Sequence, residues 1–211
     1  MTSSSPSRRD AAAVVAQHDP AAHTRPIARR SDAALPFDVD RLPADLPVMF
    51  DTGFYIDRLQ RKLASEVLNF VESRFVLHSG VACDELAICI GILDPSHPKT
   101  PQYRTPIVNL LATIDMVQTI APSATAWVEA GIIAGILART QHLNRSRREL
   151  TEAEYCCQKG KRRKLLKDAL IFLSAVESDA ILVSGNVVDV DLLLRFKPTA
   201  RVLLYRKAGA A

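Results

Sequence analysis

From Pro47 onward the chain alternates between two hydrophobic rhythms. Short apolar runs at Val48–Phe50, Phe75–Leu77, Val117–Ile120, Ala180–Val183 and Val202–Tyr205 have the length and composition of buried strands. Between them lie segments of helical period. In Asp57–Arg74 the apolar residues Leu59, Leu63, Val67, Phe70 and Val71 mark one face of a single helix. Val81–Leu93 reads as a second helix, ended by a loop that carries Pro95, Pro98, Pro101 and Pro106. Further helices are expected at Ile107–Met116, at Thr125–Gln141 with Trp127, at Arg163–Glu177 and at Val188–Phe196. Strands that alternate with helices predict an α/β fold, a sheet covered on both faces. In such folds the ligand site lies beyond the carboxyl ends of the strands.

Residues 1–45 differ. They hold three consecutive serines, five of the chain's twelve prolines and little periodicity, so they are expected to be a flexible tail ahead of one domain over 46–211. A domain of that length can build a full core, and the composition, 48% hydrophobic and 24% charged, is that of a globular protein. No apolar stretch approaches the length of a membrane span, and Ala11–Ala16 is too short for the centre of a signal peptide. A cytoplasmic location follows as the expectation. The four cysteines, at 83, 89, 156 and 157, show neither disulfide nor zinc spacing and read as ordinary thiols.

Charge changes the picture in one place. Arg139–Lys167 contains ten Lys or Arg and three acids, on a chain whose net charge is only +4. The remainder is therefore mildly acidic. A cationic segment of this kind suits an anionic partner, although solvated helix faces carry such charge equally often.

The acids that follow strands are the candidate chemistry. Asp51 ends the first apolar run and precedes Thr52-Gly53. Asp84 and Glu85 lie in the first turns of the helix after the second run. Asp189 follows the fourth run and Ser184-Gly185-Asn186. Asp168 lies inside a helix, beside the stripe of Leu165, Leu166, Ala169, Phe172 and Leu173, where a carboxylate is costly to desolvate unless it is paired. Each has an ordinary structural reading. Asp51 and Asp189 would serve as helix caps, Glu85 as a solvent-facing residue and Asp168 as a partner of Lys164 one turn earlier. Together, acids from four elements can converge on one hard divalent cation.

Asp51-Thr52 after an apolar strand, Glu85-Leu86, "KDALIFLSA" with Asp168 and "LVSGNVVD" with Asn186 and Asp189 occur in one order. In that order they resemble the PIN domain, and more narrowly the VapC-type ribonuclease toxins of toxin–antitoxin pairs. The likeness runs from about Pro47 to Arg206. It implies a three-layer α/β/α sandwich with a five-strand, mostly parallel sheet. It also implies RNA cleavage with Mg²⁺ or Mn²⁺, held by Asp51, Glu85, Asp168 and Asp189, with Thr52 and Asn186 as supporting polar groups. The metal would lower the pKa of a bound water and neutralise charge on the phosphate. Implied partners are an RNA substrate and a cognate antitoxin, with homodimerisation left open. The match departs at Ser184, where the family usually has Thr, at Gly185, where a bulkier residue is common, and at Val190, where an aromatic is usual. None of these removes a carboxylate.

Other classes fit less well. A haloacid-dehalogenase phosphatase needs a second Asp where Gly53 stands, "YCCQKGKRR" lacks the first glycine and the Ser/Thr of a P-loop, and no G-x-S-x-G elbow occurs. The remaining alternative is a non-catalytic PIN-like module that binds RNA or protein, and retention of all four acids counts against it.

Overall fold

A computed structural model describes residues 11–141 and 161–208. Five strands, β1 (Val48–Phe50), β2 (Val76–Ser79), β3 (Thr119–Ile120), β4 (Ile181–Ser184) and β5 (Val202–Leu204), form one sheet in the order β3-β2-β1-β4-β5. Every pairing is parallel, so the sheet is parallel throughout rather than mostly so. Helices cover both faces, giving a three-layer α/β/α sandwich. All residues of β1, β4 and β5 are buried, which is why these strands read as continuous apolar runs rather than alternating ones.

The helices are α1 (Ala11–Gln17), α2 (Thr52–Leu59), α3 (Ser65–Glu72), α4 (Gly80–Gly91), α5 (Thr100–Thr113), α6 (Ala124–Gln141), α7 (Lys161–Glu177) and α8 (Val187–Leu193). Two differ from expectation. The predicted helix over 57–74 is two helices, because Arg61 adopts a left-handed conformation (φ 55°). Lys62 N–H reaches back to Asp57 O at 2.8 Å and Arg61 N–H to Arg58 O at 3.1 Å, the paired bonds of a Schellman stop. Leu59, at the end of α2, is accordingly exposed, while Leu63, Val67, Phe70 and Val71 enter the core. The predicted proline loop is largely helix. Pro101 stands at the start of α5, where a missing N–H costs nothing, and Pro106 is carried inside it.

Strand order decides where a ligand can enter. From β1 the chain proceeds to β2 and β3 on one side, then returns to β4 beside β1 and on to β5 on the other. The connections leaving β1 and β4 therefore diverge and open a crevice at their carboxyl ends. Phe50 pairs with Val183, and Asp51 N–H donates to Val183 O at 3.3 Å. Asp51 and Ser184 are thus the next residues out, side by side at that crevice.

Residues 11–45 do not form the loose tail expected of them. Helix α1 packs on α6 and buries Val14, and Leu35 joins the core. His18 Nε2 lies 2.5 Å from Glu129 Oε1, an oxygen shared with Lys197 Nζ at 2.6 Å. Arg30 binds Asp191 twice, through its backbone N–H at 2.9 Å and its Nε at 2.6 Å. Leu204 N–H donates to Pro36 O at 2.8 Å, which places this segment along β5. Ion pairs with distant partners hold a sequence too polar and proline-rich to supply its own core.

Candidate active site

The crevice assembles the site from four elements, and local rules bring each carboxylate there. Asp51 caps α2: its Oδ1 accepts the Phe54 N–H at 2.7 Å, and its Oδ2 accepts the Ser184 hydroxyl. Capping and membership of the site are therefore the same fact, since the cap must lie where β1 ends. Glu85 stands one turn into α4, which starts directly after β2 and is capped by Ser79. Its Oε2 accepts the Thr52 hydroxyl, tying α4 to the start of α2.

Asp168 arrives by length matching. Helix α7 runs antiparallel to β4, to which it is joined by a three-residue turn with Asp179 in the left-handed region (φ 51°). The nine steps from Asp168 to Glu177 rise about 14 Å along the helix, and the four steps from Ile181 to Gly185 span about 13 Å. Asp168 therefore stands level with the carboxyl end of β4. Asp189 is not the cap of α8, because Asn186 is, and Asp189 occupies the third helical position. Its Oδ2 accepts from Asn186 Nδ2 at 3.0 Å, and the same amide nitrogen lies 3.5 Å from Asp168 Oδ2.

Asp51, Glu85 and Asp168 line one cavity of about 300 Å³ with Thr52, Lys164 and Asn186, and Asp189 lies behind that lining, bonded to Asn186 and Lys164. Electrostatics shows how closely they interact. Burial raises the Asp168 carboxyl to about 7, Lys164 opposes the rise, and the charges of Asp189, Glu85 and Asp51 add to it. Burial likewise lifts Asp51 to about 6, helped by Asp57 and Glu85 and resisted by its hydrogen bonds to Ser184 and Phe54. Asp189 is pushed up by burial as well, but the Lys164 ammonium and Asn186 hold it below the usual carboxylate range.

Three of the acids meet at one cavity, and they do not close into a shell. Among the described residues, no three His, Cys, Asp or Glu side chains are placed to hold one metal ion. Three of the four carboxylates turn to a donor: Asp51 to Ser184, Glu85 to Thr52 and Asp189 to Lys164. The donor set nonetheless suits a hard cation, being all oxygen, partly buried and mutually repulsive. Lys164 already plays the cation's part, with Nζ 2.6 Å from Asp189 Oδ2 and 3.8 Å from Asp168 Oδ2.

Helical spacing points Lys164 to Asp168, but its nearer partner is Asp189, 25 residues away. Ser184 was visible only as a departure from the family's usual Thr, yet it bridges Asp51 Oδ2 and the Asn186 N–H. Asp57 was missed. It is buried at the cavity edge, accepts the Tyr205 hydroxyl at 3.0 Å and lies 2.8 Å from Lys207 Nζ. Its one sequence signal is a carboxylate three residues after Phe54, on a buried helical face. Asp84 pairs with Lys167 at 2.7 Å, outside the acid cavity. Of the basic segment, 142–160 lies outside the described residues. Arg163, Lys164 and Lys167 stand beside the acids, while Arg139 binds Pro20 O at 2.7 Å. Cys83 and Cys89 are free thiols, whereas Cys156 and Cys157 fall outside the described residues.

The missing bulk at Gly185 has a structural cause. A Cβ there would stand 2.9 Å from the Tyr205 ring, which is buried and cannot swing aside. Gly185→Ala is expected to lower stability by about 1–3 kcal/mol through this overpacking. Denaturant unfolding measures it, and Gly185→Ala with Tyr205→Leu should recover part of the loss.

A pH effect follows from Asp168. Its carboxyl is raised in the fold above its unfolded value, so the folded state holds the proton more tightly. The corresponding stability is present in full below about 4 and is lost as pH rises toward 7. Asp168→Asn is expected to stabilise the metal-free protein at pH 8 by roughly 1–4 kcal/mol, with the gain shrinking to near zero at pH 4. Chemical denaturation at both pH values reads it, and an equal gain at both would refute the cause.

Compared with family models, curated proteins and solved structures, the chain matches none. No helix among the described residues is long and apolar enough to cross a membrane.

Proposed function

We propose that the chain is a divalent-metal-dependent endoribonuclease of PIN-like type, hydrolysing RNA phosphodiester bonds with Mg²⁺ or Mn²⁺. The observation that supports this reading is that Asp51, Glu85 and Asp168, from separate elements, line one cavity beside β1 and β4, with Asp189 one hydrogen bond behind them through Asn186. Burying that much like charge raises Asp51 and Asp168 toward neutrality, a cost no fold needs for its own stability. These four residues would hold the metal, which supplies an activated water and neutralises phosphate charge.

The chain's own side chains have separate tasks. Ser184 and the Phe54 N–H orient the Asp51 carboxylate, Thr52 orients Glu85, and Asn186 orients Asp189. Lys164, Arg163 and Lys167 give an anionic backbone somewhere to rest beside four carboxylates that would otherwise repel it. Cytoplasmic action as a toxin, held in check by a cognate antitoxin and with homodimerisation open, belongs to the same proposal and rests on the family likeness alone. A second reading, a non-catalytic PIN-like module, is favoured by the seat Lys164 takes on Asp189.

Incubating the protein with mixed RNA in Mg²⁺, in Mn²⁺ and in EDTA tests the choice. Fragments that appear with either metal and vanish with EDTA are expected. Intact RNA under both metals would leave the binding module as the reading.

A further inference from the structure

A second cavity, of about 570 Å³, lies one pocket away from the acid site and is built differently. Trp127, half exposed on the first turns of α6, forms one wall with Pro122. Further lining comes from one face of α7, where Arg163, Leu166, Lys167 and Leu170 follow at helical spacing. Arg163 and Lys167 also line the pocket that contains Thr52, Glu85 and Lys164, and those three in turn line the acid cavity. Shared lining residues therefore link the acid cavity, through the pocket at Lys164, Arg163 and Lys167, to the cavity at Trp127.

We propose that this cavity is a base-stacking subsite for single-stranded RNA. An unpaired nucleobase would lie on the Trp127 indole, and the adjoining phosphate would lie between Arg163 and Lys167. The inference rests on the reading of the neighbouring acids as a nuclease centre for its place in the reaction. Three observations select a nucleotide over an apolar peptide side chain. The cavity has the volume of a small-ligand site, its lining combines an aromatic ring with the cations Arg163 and Lys167, and the same two cations line the pocket that shares Lys164 with the acid cavity. Asp84, also on the wall, is engaged by Lys167 at 2.7 Å and so adds little repulsion. A base inside a duplex hides its face in the stack, so the subsite selects unpaired RNA.

Trp127 is the chain's single tryptophan, so its fluorescence reports this cavity alone. The full-length protein, in EDTA to prevent cutting, is titrated with a short single-stranded oligoribonucleotide, with the same sequence as a duplex, and with an apolar peptide. Anisotropy of labelled RNA gives affinity independently. Expected are saturable quenching by the single strand, weaker quenching by the duplex, and a loss of affinity of about 5- to 100-fold in Trp127→Ala, largely restored in Trp127→Phe. Arg163→Ala should reduce the salt dependence of binding. Unchanged RNA affinity in Trp127→Ala overturns the subsite, as does quenching by duplex equal to that by single strand. Quenching by the peptide alone overturns it in favour of a protein partner. Quenching by RNA in a protein that never cuts RNA keeps the subsite and defeats the nuclease reading, whereas cutting that is indifferent to Trp127 does the reverse.

Discussion

Asp51→Asn is expected to slow RNA cleavage at least about a hundredfold while leaving the fold intact, a barrier increase of ~3 kcal/mol or more. The substitution keeps the shape and the cap, because Asn still offers an oxygen to the Phe54 N–H and is as good a capping residue as Asp. It removes the negative charge that a cation in the crevice would need. Stability should hold or rise, since the Asp51 carboxyl is raised to about 6 and its ionised form is therefore a strain on the fold near neutral pH. RNA affinity should hold or tighten for the same electrostatic reason. The informative result is the split, with cutting lost and binding kept in the same preparation. Cleavage by Asp51→Asn at the wild-type rate under Mg²⁺ or Mn²⁺ would sink the assignment and leave Asp51 as the cap of α2 alone.

Much of this architecture was legible because it is written in short-range hydrophobicity. The five strands were found to within two residues because buried parallel strands are unbroken apolar runs bounded by polar turns, as at Ile181–Ser184. Asp51, Glu85 and Asp189 were legible because a parallel sheet sends every strand's carboxyl end to one edge, so acids just past strands must gather. Asp168 was legible for a different reason, as a charge set against an apolar helical stripe.

Other features lay beyond local pattern. Nothing in Gln60-Arg61-Lys62 announces a helix stop, because an arginine rarely takes the left-handed turn that glycine takes freely. Four prolines signalled a loop where Pro101 in fact begins a helix. Lys164 was paired with Asp168 from spacing along one helix, while its closer partner arrives from another element. The largest difference, the docking of residues 11–45, depends on contacts such as Arg30 to Asp191, separated by 161 positions. Composition reports how much apolar surface a segment owns, and it says nothing about a buried charge elsewhere that needs the segment's arginine.

That dependence sets the second large effect. Removing residues 1–40 is expected to destabilise the domain by several kcal/mol. Asp191 is 1% exposed, and Arg30 contributes two of its hydrogen bonds. Stripping the partner from a buried carboxylate typically costs about 3–5 kcal/mol, because the charge keeps its desolvation penalty and loses what offset it. The loss of Val14 and Leu35 from the core adds to this. Glu129 is better placed, since Lys197 remains on its carboxylate after His18 has gone. The point substitution isolates the charge term. Arg30→Ala should cost about 3 kcal/mol, somewhat below the range for a fully buried pair because the arginine is 28% exposed. Adding Asp191→Asn should recover part of that cost, because a neutral amide needs less compensation. Calorimetry on the four proteins decides it. A truncated chain that melts cooperatively at the full-length temperature would mean that the segment rests on the domain without supporting it, and Arg30→Ala would then be silent too.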